Sequence, residues 1–334
     1  MQILLPIAGA GTRVRPHTHA RPKPMLSLAG KPVLGHLLDY LRPLGPSSTI
    51  IIVGERGDQV EEYVHANYAA MHPCFRTQTE LKGQSHAIKM AADLIHEPLL
   101  IVFGDTLFEA PLELVTDSSV DGAVVVQPVP DPARFGVVEL NADGFITRFI
   151  EKPQHPPSNL ASIGVWMFND HQGLLHAIDA QIAEADALKG EFYLAGALQR
   201  LLDAGGRFRP VRADGWHDTG TIDAVLETHR YLVEQHRRRP QFTPVAAIVE
   251  PCWIDPTAKL ERCVVGPYVS IGPRVEIVDS VLSDAIIGEG TRIEGAVLRR
   301  SIVGNEAVIE LPRRSFNISD HSSLTAAPPA GTGH

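Results

Sequence analysis

Phosphate chemistry is what the residue types suggest first. The run Ala8-Gly9-Ala10-Gly11-Thr12-Arg13 follows an apolar stretch, and Arg13, Arg15, Arg21 and Lys23 fall within eleven residues, interrupted by Pro16, Pro22 and Pro24. Glycines lack the Cβ that would keep backbone N–H groups away from a phosphate, and a stiff basic segment supplies charge. Two familiar phosphate loops are excluded by spacing. A dinucleotide fingerprint starting at Gly9 would need a small residue where Val14 stands, and a P-loop ending at Gly30-Lys31 would need Gly at Met25. A solvated turn with scattered charge remains the other reading of the run taken alone. His17 and His19 lack the Cys or Glu neighbours of a metal site and read as loop histidines.

Composition limits what such a loop could serve. Of 334 residues, 44% are hydrophobic and 21% charged, which is ordinary for a globular chain long enough to form two domains. Thirty Lys and Arg against 39 Asp and Glu leave a net charge of −9, the wrong sign for a general nucleic-acid binder, so anionic ligands must be met by local basic clusters. Cys74, Cys252 and Cys263 form no CxxC pair, which predicts neither a disulfide framework nor a zinc site and fits a reducing cytoplasm. The opening MQILLPIAGA has an Ala-x-Ala but no basic segment before it, and it is too short for a signal peptide. No stretch reaches the roughly 18 apolar residues of a membrane span. A cytoplasmic protein with neither a nucleic-acid nor a membrane partner is expected.

The elements that must position the loop follow from periodicity. Short apolar runs alternate with helix-length segments up to about residue 230, the pattern of an α/β domain on a mostly parallel sheet. Strands are predicted at Gln2 to Ile7, Thr49 to Val53, Leu99 to Phe103 and Gly122 to Gln127. Helices are predicted at Val33 to Arg42, Asp58 to Tyr68, Ser85 to Ile95, His171 to Leu188 and Phe192 to Ala204. Open α/β sheets bind ligands beyond the carboxyl ends of strands, which singles out the loops after Ile7 and Phe103.

Beyond residue 231 a helix ends in the basic run Arg237 to Arg239, and a repeat begins. Segments starting at Ile254, Ile271, Ile287 and Val303 superimpose, 17, 16 and 16 residues apart, each with a second aliphatic six positions on at Leu260, Ile277, Ile293 and Ile309. Val264-Val265, Val281-Leu282 and Val297-Leu298 keep the same offset. Six-residue rungs of this kind stack aliphatics coil upon coil into a β-helix. The predicted organisation is a domain over 1–235, a linker over 236–247, a β-helix over 248–316 and a flexible tail over 317–334.

The string Gly9-Ala10-Gly11-Thr12-Arg13, then Arg21-Pro22-Lys23-Pro24-Met25-Leu26, then Gly30-Lys31-Pro32 resembles the signature of the sugar-1-phosphate nucleotidylyltransferases. Later motifs follow in the family's order: Gln78 with Gly83, Gly104-Asp105-Thr106, Phe135-Gly136-Val137-Val138-Glu139, Glu151-Lys152-Pro153 and Trp216-His217-Asp218-Thr219-Gly220. The resemblance implies a Rossmann-like nucleotidyltransferase domain and, as in several branches of the family, an added left-handed parallel β-helix. It implies a nucleotide site of Ala8, Gly9, Gly11, Thr12, Arg13, Lys23, Gln78, Gly83 and Asp105, and a sugar-phosphate site of Gly136, Glu151 and Lys152. Asp105 and Asp218 would hold one Mg²⁺ with the α-phosphate. Arg13 and Lys23 would stabilise the departing pyrophosphate, and Lys152 would steer the sugar phosphate. One departure stands out: Ala195-Gly196 occupy the place of the family's Thr-Asp.

The reaction so implied joins a nucleoside triphosphate to a sugar 1-phosphate. Arg134 to Glu139 and the length favour dTTP with glucose 1-phosphate, while the loop leaves uridylyl and guanylyl transfer open. A hexapeptide-type acyltransferase would need a coil histidine, yet none occurs from Arg237 to Asp320. A non-catalytic regulatory relative would be expected to have lost the Arg, Lys or Asp residues just named. A homo-oligomer formed partly through the β-helix is predicted, since a terminal coil exposing aliphatics needs a cover.

Overall fold

A computed structural model describes residues 1–188, 190–235 and 246–312. Arg237 to Arg239, most of the 236–247 stretch, the last residues of the repeat and the 317–334 tail lie outside them. A nine-stranded sheet runs in the order Pro73–Thr77, Thr49–Val53, Gln2–Pro6, Leu99–Val102, Leu160–Phe168, Gly122–Pro128, Phe208–Arg212, Ile146–Glu151, Gly136–Leu140. The first four strands are parallel, as are Gly122–Pro128 and Phe208–Arg212. Leu160–Phe168 opposes both of its neighbours, and Ile146–Glu151 opposes both of its own.

The sheet is therefore mixed rather than mostly parallel, and the reason is local. Strands up to residue 128 are largely joined by helices, whereas Gly136–Leu140 and Ile146–Glu151 are joined by a tight turn. There the Asn141 side chain accepts from the amides of Asp143 and Phe145 at 3.1 and 2.9 Å, and Gly144 takes a left-handed φ of 82°. A turn that short can only reverse the chain.

Strand residues Ile3 to Leu5, Ile50 to Ile52 and Leu99 to Val102 are fully buried, as expected for runs covered on both faces. One face packs under helices Val33–Leu41, Gly57–Tyr68 and Ile222–Gln235 through Leu37, Val64 and Leu226. The other packs under Gln84–Met90, His171–Ala183 and Leu194–Asp203 through Ile88, Ile178 and Leu198. The helices of the sequence reading exist, but the third, fourth and fifth are shorter than predicted.

The C-terminal strands pair in parallel and in the register the repeat predicts. Ile254, Ile271, Ile287 and Val303 stack on one sheet, Leu260, Ile277, Ile293 and Ile309 on another. Ile271, Ile277, Leu282 and Ile293 are wholly buried between them. This arrangement fits a β-helix. Its first strand, Ala246–Ile248, starts inside the stretch read as linker and pairs with Cys263–Val265, a rung too short to carry the hexad signature.

Helix Ile222–Gln235 ties the two parts together. His229 is buried and its Nε2 lies 2.6 Å from Ser270 Oγ, while Arg230 donates from Nε to Asp284 at 2.8 Å. Arg300 reaches back to Asp223 at 2.7 Å. Trp253 packs against Gly30, where an added Cβ would lie 2.0 Å from the indole.

Candidate active site

The first strand ends at Pro6, and the chain turns through Gly11, whose φ is 60°. A Cβ on Gly11 would meet the Thr18 methyl at 3.0 Å and Lys23 Cβ at 3.2 Å, so a side chain here would be both strained and crowded. Thr18 Oγ1 donates to Gly11 O at 2.9 Å and folds the basic segment back on the turn. Lys23 is thereby buried, 8% exposed, with its ammonium 2.7 Å from Asp105 Oδ2. The loop after Val102 delivers that carboxylate.

Two cavities meet there. One, of about 330 Å³, is lined by Ala8, Gly9, Lys23, Gln78, Gly83 and Asp105. The other, of about 310 Å³, is lined by Arg13, Gly136, Glu151, Lys152, Asp105 and Asp218. Gln84, Phe103 and Asp105 border both, so Asp105 stands at the junction. Asp218 arrives through a two-stranded ladder that sets it opposite Thr106, and Thr219 N donates to Asp105 O at 3.1 Å. Asp218 accepts from the Gly220 amide. These two aspartates could offer hard oxygen donors to a cation; among the described residues no group of three or more His, Cys, Asp and Glu side chains is gathered. Two carboxylates plus phosphate oxygens and water suit Mg²⁺.

Gln78 is buried and donates to Gly83 O at 3.3 Å. Gly83 has φ 95°, and a Cβ there would lie 2.6 Å from the backbone of Phe192, so the glycine permits the close approach that closes this wall. In the second cavity Glu151 is largely buried, which pushes its carboxyl pKa up despite the nearby Lys152 ammonium. Burial works against the Lys152 charge, but Glu151, at 3.3 Å, and Tyr193, whose ring centroid is 4.7 Å away, outweigh it and raise its pKa. Lys152 holds a left-handed φ of 44°. A charged lysine is thus held at the mouth of the cavity.

The structure brings most of the expected residues to this junction, with exceptions. Gly11 and Thr12 line neither cavity: Gly11 shapes the turn and Thr12 is exposed on it. Arg13 lines the second cavity rather than the first. Gln84 was missed by the sequence reading; its adjacency to Gly83 was the available signal. Its Oε1 accepts from the Leu194 amide at 3.0 Å, capping the helix that begins there and carries Ala195-Gly196 in its first turn. At Gly196 a Cβ would approach Gln181 Nε2 to 2.4 Å, so Gln181 fills the place of the missing side chain. His17 is partly buried, and that burial, then Arg21, lowers its pKa. All three cysteines are free thiols; burial pushes Cys252 up to about 12.

An α/β domain whose phosphate-type loop, buried lysine and paired aspartates converge at strand ends defines an enzyme that handles phosphate esters. A model of the nucleotidyl transferase family matches residues 3–235, and the chain belongs to that family. The relatives include a UTP–glucose-1-phosphate uridylyltransferase (AglF) of Haloferax volcanii, 33% identical over 70% of this chain and 98% of that protein. A glucose-1-phosphate thymidylyltransferase of Streptomyces antibioticus is 26% identical over 97% of this chain and 99% of its own length. The bifunctional protein GlmU of Methanocaldococcus jannaschii is 31% identical over 70% of this chain and 55% of its own. No helix among the described residues is long and apolar enough to cross a membrane.

Proposed function

We propose that this nucleotidyltransferase joins a nucleoside triphosphate to a sugar 1-phosphate, with dTTP and glucose 1-phosphate as the first pair to test. The observation that carries the reading is the meeting of two cavities at Asp105, one walled by the Gly-rich loop and Lys23, the other by Glu151, Lys152 and Asp218. A phosphate oxygen of the sugar phosphate attacks the α-phosphorus, the bond to the β-phosphate oxygen breaks, and pyrophosphate leaves. No general base is required, because a phosphate monoester is already largely anionic near pH 7. Lys152 orients the nucleophile, Lys23 stabilises the leaving charge, and Arg13, on the wall of the second cavity, offsets phosphate charge from that side. Mg²⁺ held by Asp105 and Asp218 would neutralise the α-phosphate.

The thymidylyl reading draws on the relative from Streptomyces antibioticus, whose alignment runs on through the coils, whereas the match to the uridylyltransferase covers 70% of this chain. UTP is the second reading, since that relative has the higher identity. Purified protein with Mg²⁺, glucose 1-phosphate and dTTP, UTP, GTP or ATP in turn should release pyrophosphate; no release from any pair would sink the proposal. We take the coils to wind left-handed and to support self-association. Val308 and Leu311 of the last coil are 67% and 52% exposed, which favours a cover from a second copy. Light scattering that shows a monomer would count against it.

A further inference from the structure

Next to the first cavity, and sharing Ala8 to Ala10, Gln78 and Leu81 with it, lies a third cavity of about 530 Å³ that reaches neither Lys23 nor Asp105. Its rim carries Arg15, Arg21, Arg56 and His19, and Glu55 is the one carboxylate among its described lining residues. Arg15, Arg21 and Arg56 take part in no ion pair among the described residues. Unpaired guanidiniums facing a common hollow repel one another and are stabilised by a multiply charged anion, which they can bind in bidentate fashion. The rim is also held in place. Gln59 Nε2 donates to Ala20 O at 3.0 Å, tying helix Gly57–Tyr68 to the basic segment, and Thr18 fixes that segment to Gly11. Arg56 is set at φ 64° immediately before the helix, which turns the chain at the cavity mouth.

We propose that this cavity is a second polyphosphate site, adjoining the reacting one but filled by a separate ion. Its ligand is a di- or triphosphate group, either inorganic or carried by a nucleotide. Arg15, Arg21 and Arg56 take the charge, and Ala8 to Ala10 with Gln78 and Leu81 form a wall shared with the reacting site. The catalytic reading assigns Lys23, not these arginines, so the two can fail separately.

Calorimetric titration of the full chain with inorganic tripolyphosphate tests it. The wild type should bind two equivalents. Lys23→Met should remove or weaken one, and Arg21→Gln with Arg56→Gln should weaken the other at least tenfold while pyrophosphate release at saturating substrate is retained. Titration with a nucleoside triphosphate separates the sources: two equivalents assign the cavity to nucleotides, one assigns it to inorganic polyphosphate. A single equivalent weakened by Lys23→Met and untouched by the arginine substitutions would overturn the second site and leave the enzyme reading standing. A single equivalent weakened by both changes would mean one continuous site and would also overturn it. Two equivalents indifferent to the arginines would place the second ion elsewhere and refute the assignment.

Discussion

Replacing Lys23 by methionine should have two opposite effects. The Lys23 ammonium is buried and lies 2.7 Å from an Asp105 oxygen, while the Asp105 side chain is 40% exposed. In the free protein this lysine and a divalent cation compete for the same carboxylate. A unit-charge pair at such range is worth about 6 kcal/mol at an effective dielectric of 20, and the exposure of Asp105 discounts this to about 1–2 kcal/mol. Removing the competitor should therefore tighten cation binding to the free protein by about five- to thirtyfold. The same change deletes a charge facing the leaving pyrophosphate and should slow the reaction by about a hundredfold, close to 3 kcal/mol. Mn²⁺ binding without nucleotide, followed by its paramagnetic resonance, reads the first effect; pyrophosphate release reads the second. Tighter Mn²⁺ binding with a slower reaction is expected. Unchanged or weaker Mn²⁺ binding would show that Lys23 does not hold the cation site, and an unchanged rate would remove Lys23 from the chemistry.

Other substitutions address separate parts of the molecule. Lys152→Ala should raise KM for the sugar phosphate at least tenfold and leave KM for the nucleotide unchanged, as steady-state kinetics will show; equal effects on both would contradict the division into two cavities. Asp105→Asn should cost about a hundredfold or more in rate, and full pyrophosphate release would break the metal assignment without touching the fold. His229, buried beside Ser270, Arg230 and Asp284, has its pKa pushed down to about 4 from 6.5, chiefly by burial. Because the folded pKa is the lower one, its contribution to stability is present above pH 6.5 and is lost as pH falls toward 4, about 2 kcal/mol between pH 7 and 5. Urea midpoints should drop accordingly, and His229→Asn should flatten that part of the profile. Gly30→Ala, with φ 81° and Trp253 in the way, should cost about 2 kcal/mol or more and shift Trp253 fluorescence; a wild-type melting temperature would contradict the packing of the β-helix against this loop.

Much of this was legible in local pattern. The four-coil register, from Ile254 to Val303, reads straight off the 17-, 16- and 16-residue spacing because each rung stacks on its copy one coil away. The buried parallel strands announced themselves as continuous apolar runs. The antiparallel half did not: Ile146–Glu151 buries only Ile146 and Phe149 and is set by a turn, and Leu160–Phe168 contains Gly164, whose φ of 85° marks an irregular register against Gly122–Pro128. Gln84 and Gln181 are invisible as caps and fillers in sequence, since their roles depend on partners 110 and 12 residues away.

The sequence by itself determined where phosphates could be met, because a glycine-rich turn and a proline-stiffened basic segment are properties of consecutive residues. It also determined the repeat, whose period is its structure. Only the tertiary structure decided which charges meet. Asp105 and Asp218 are 113 residues apart and come together through a two-stranded ladder; Lys23 pairs with Asp105 while Arg15, Arg21 and Arg56 line a neighbouring hollow. A chain of net charge −9 can hold a basic hollow because electrostatic fields depend on distance in space, falling off over about 10 Å, and not on order along the chain.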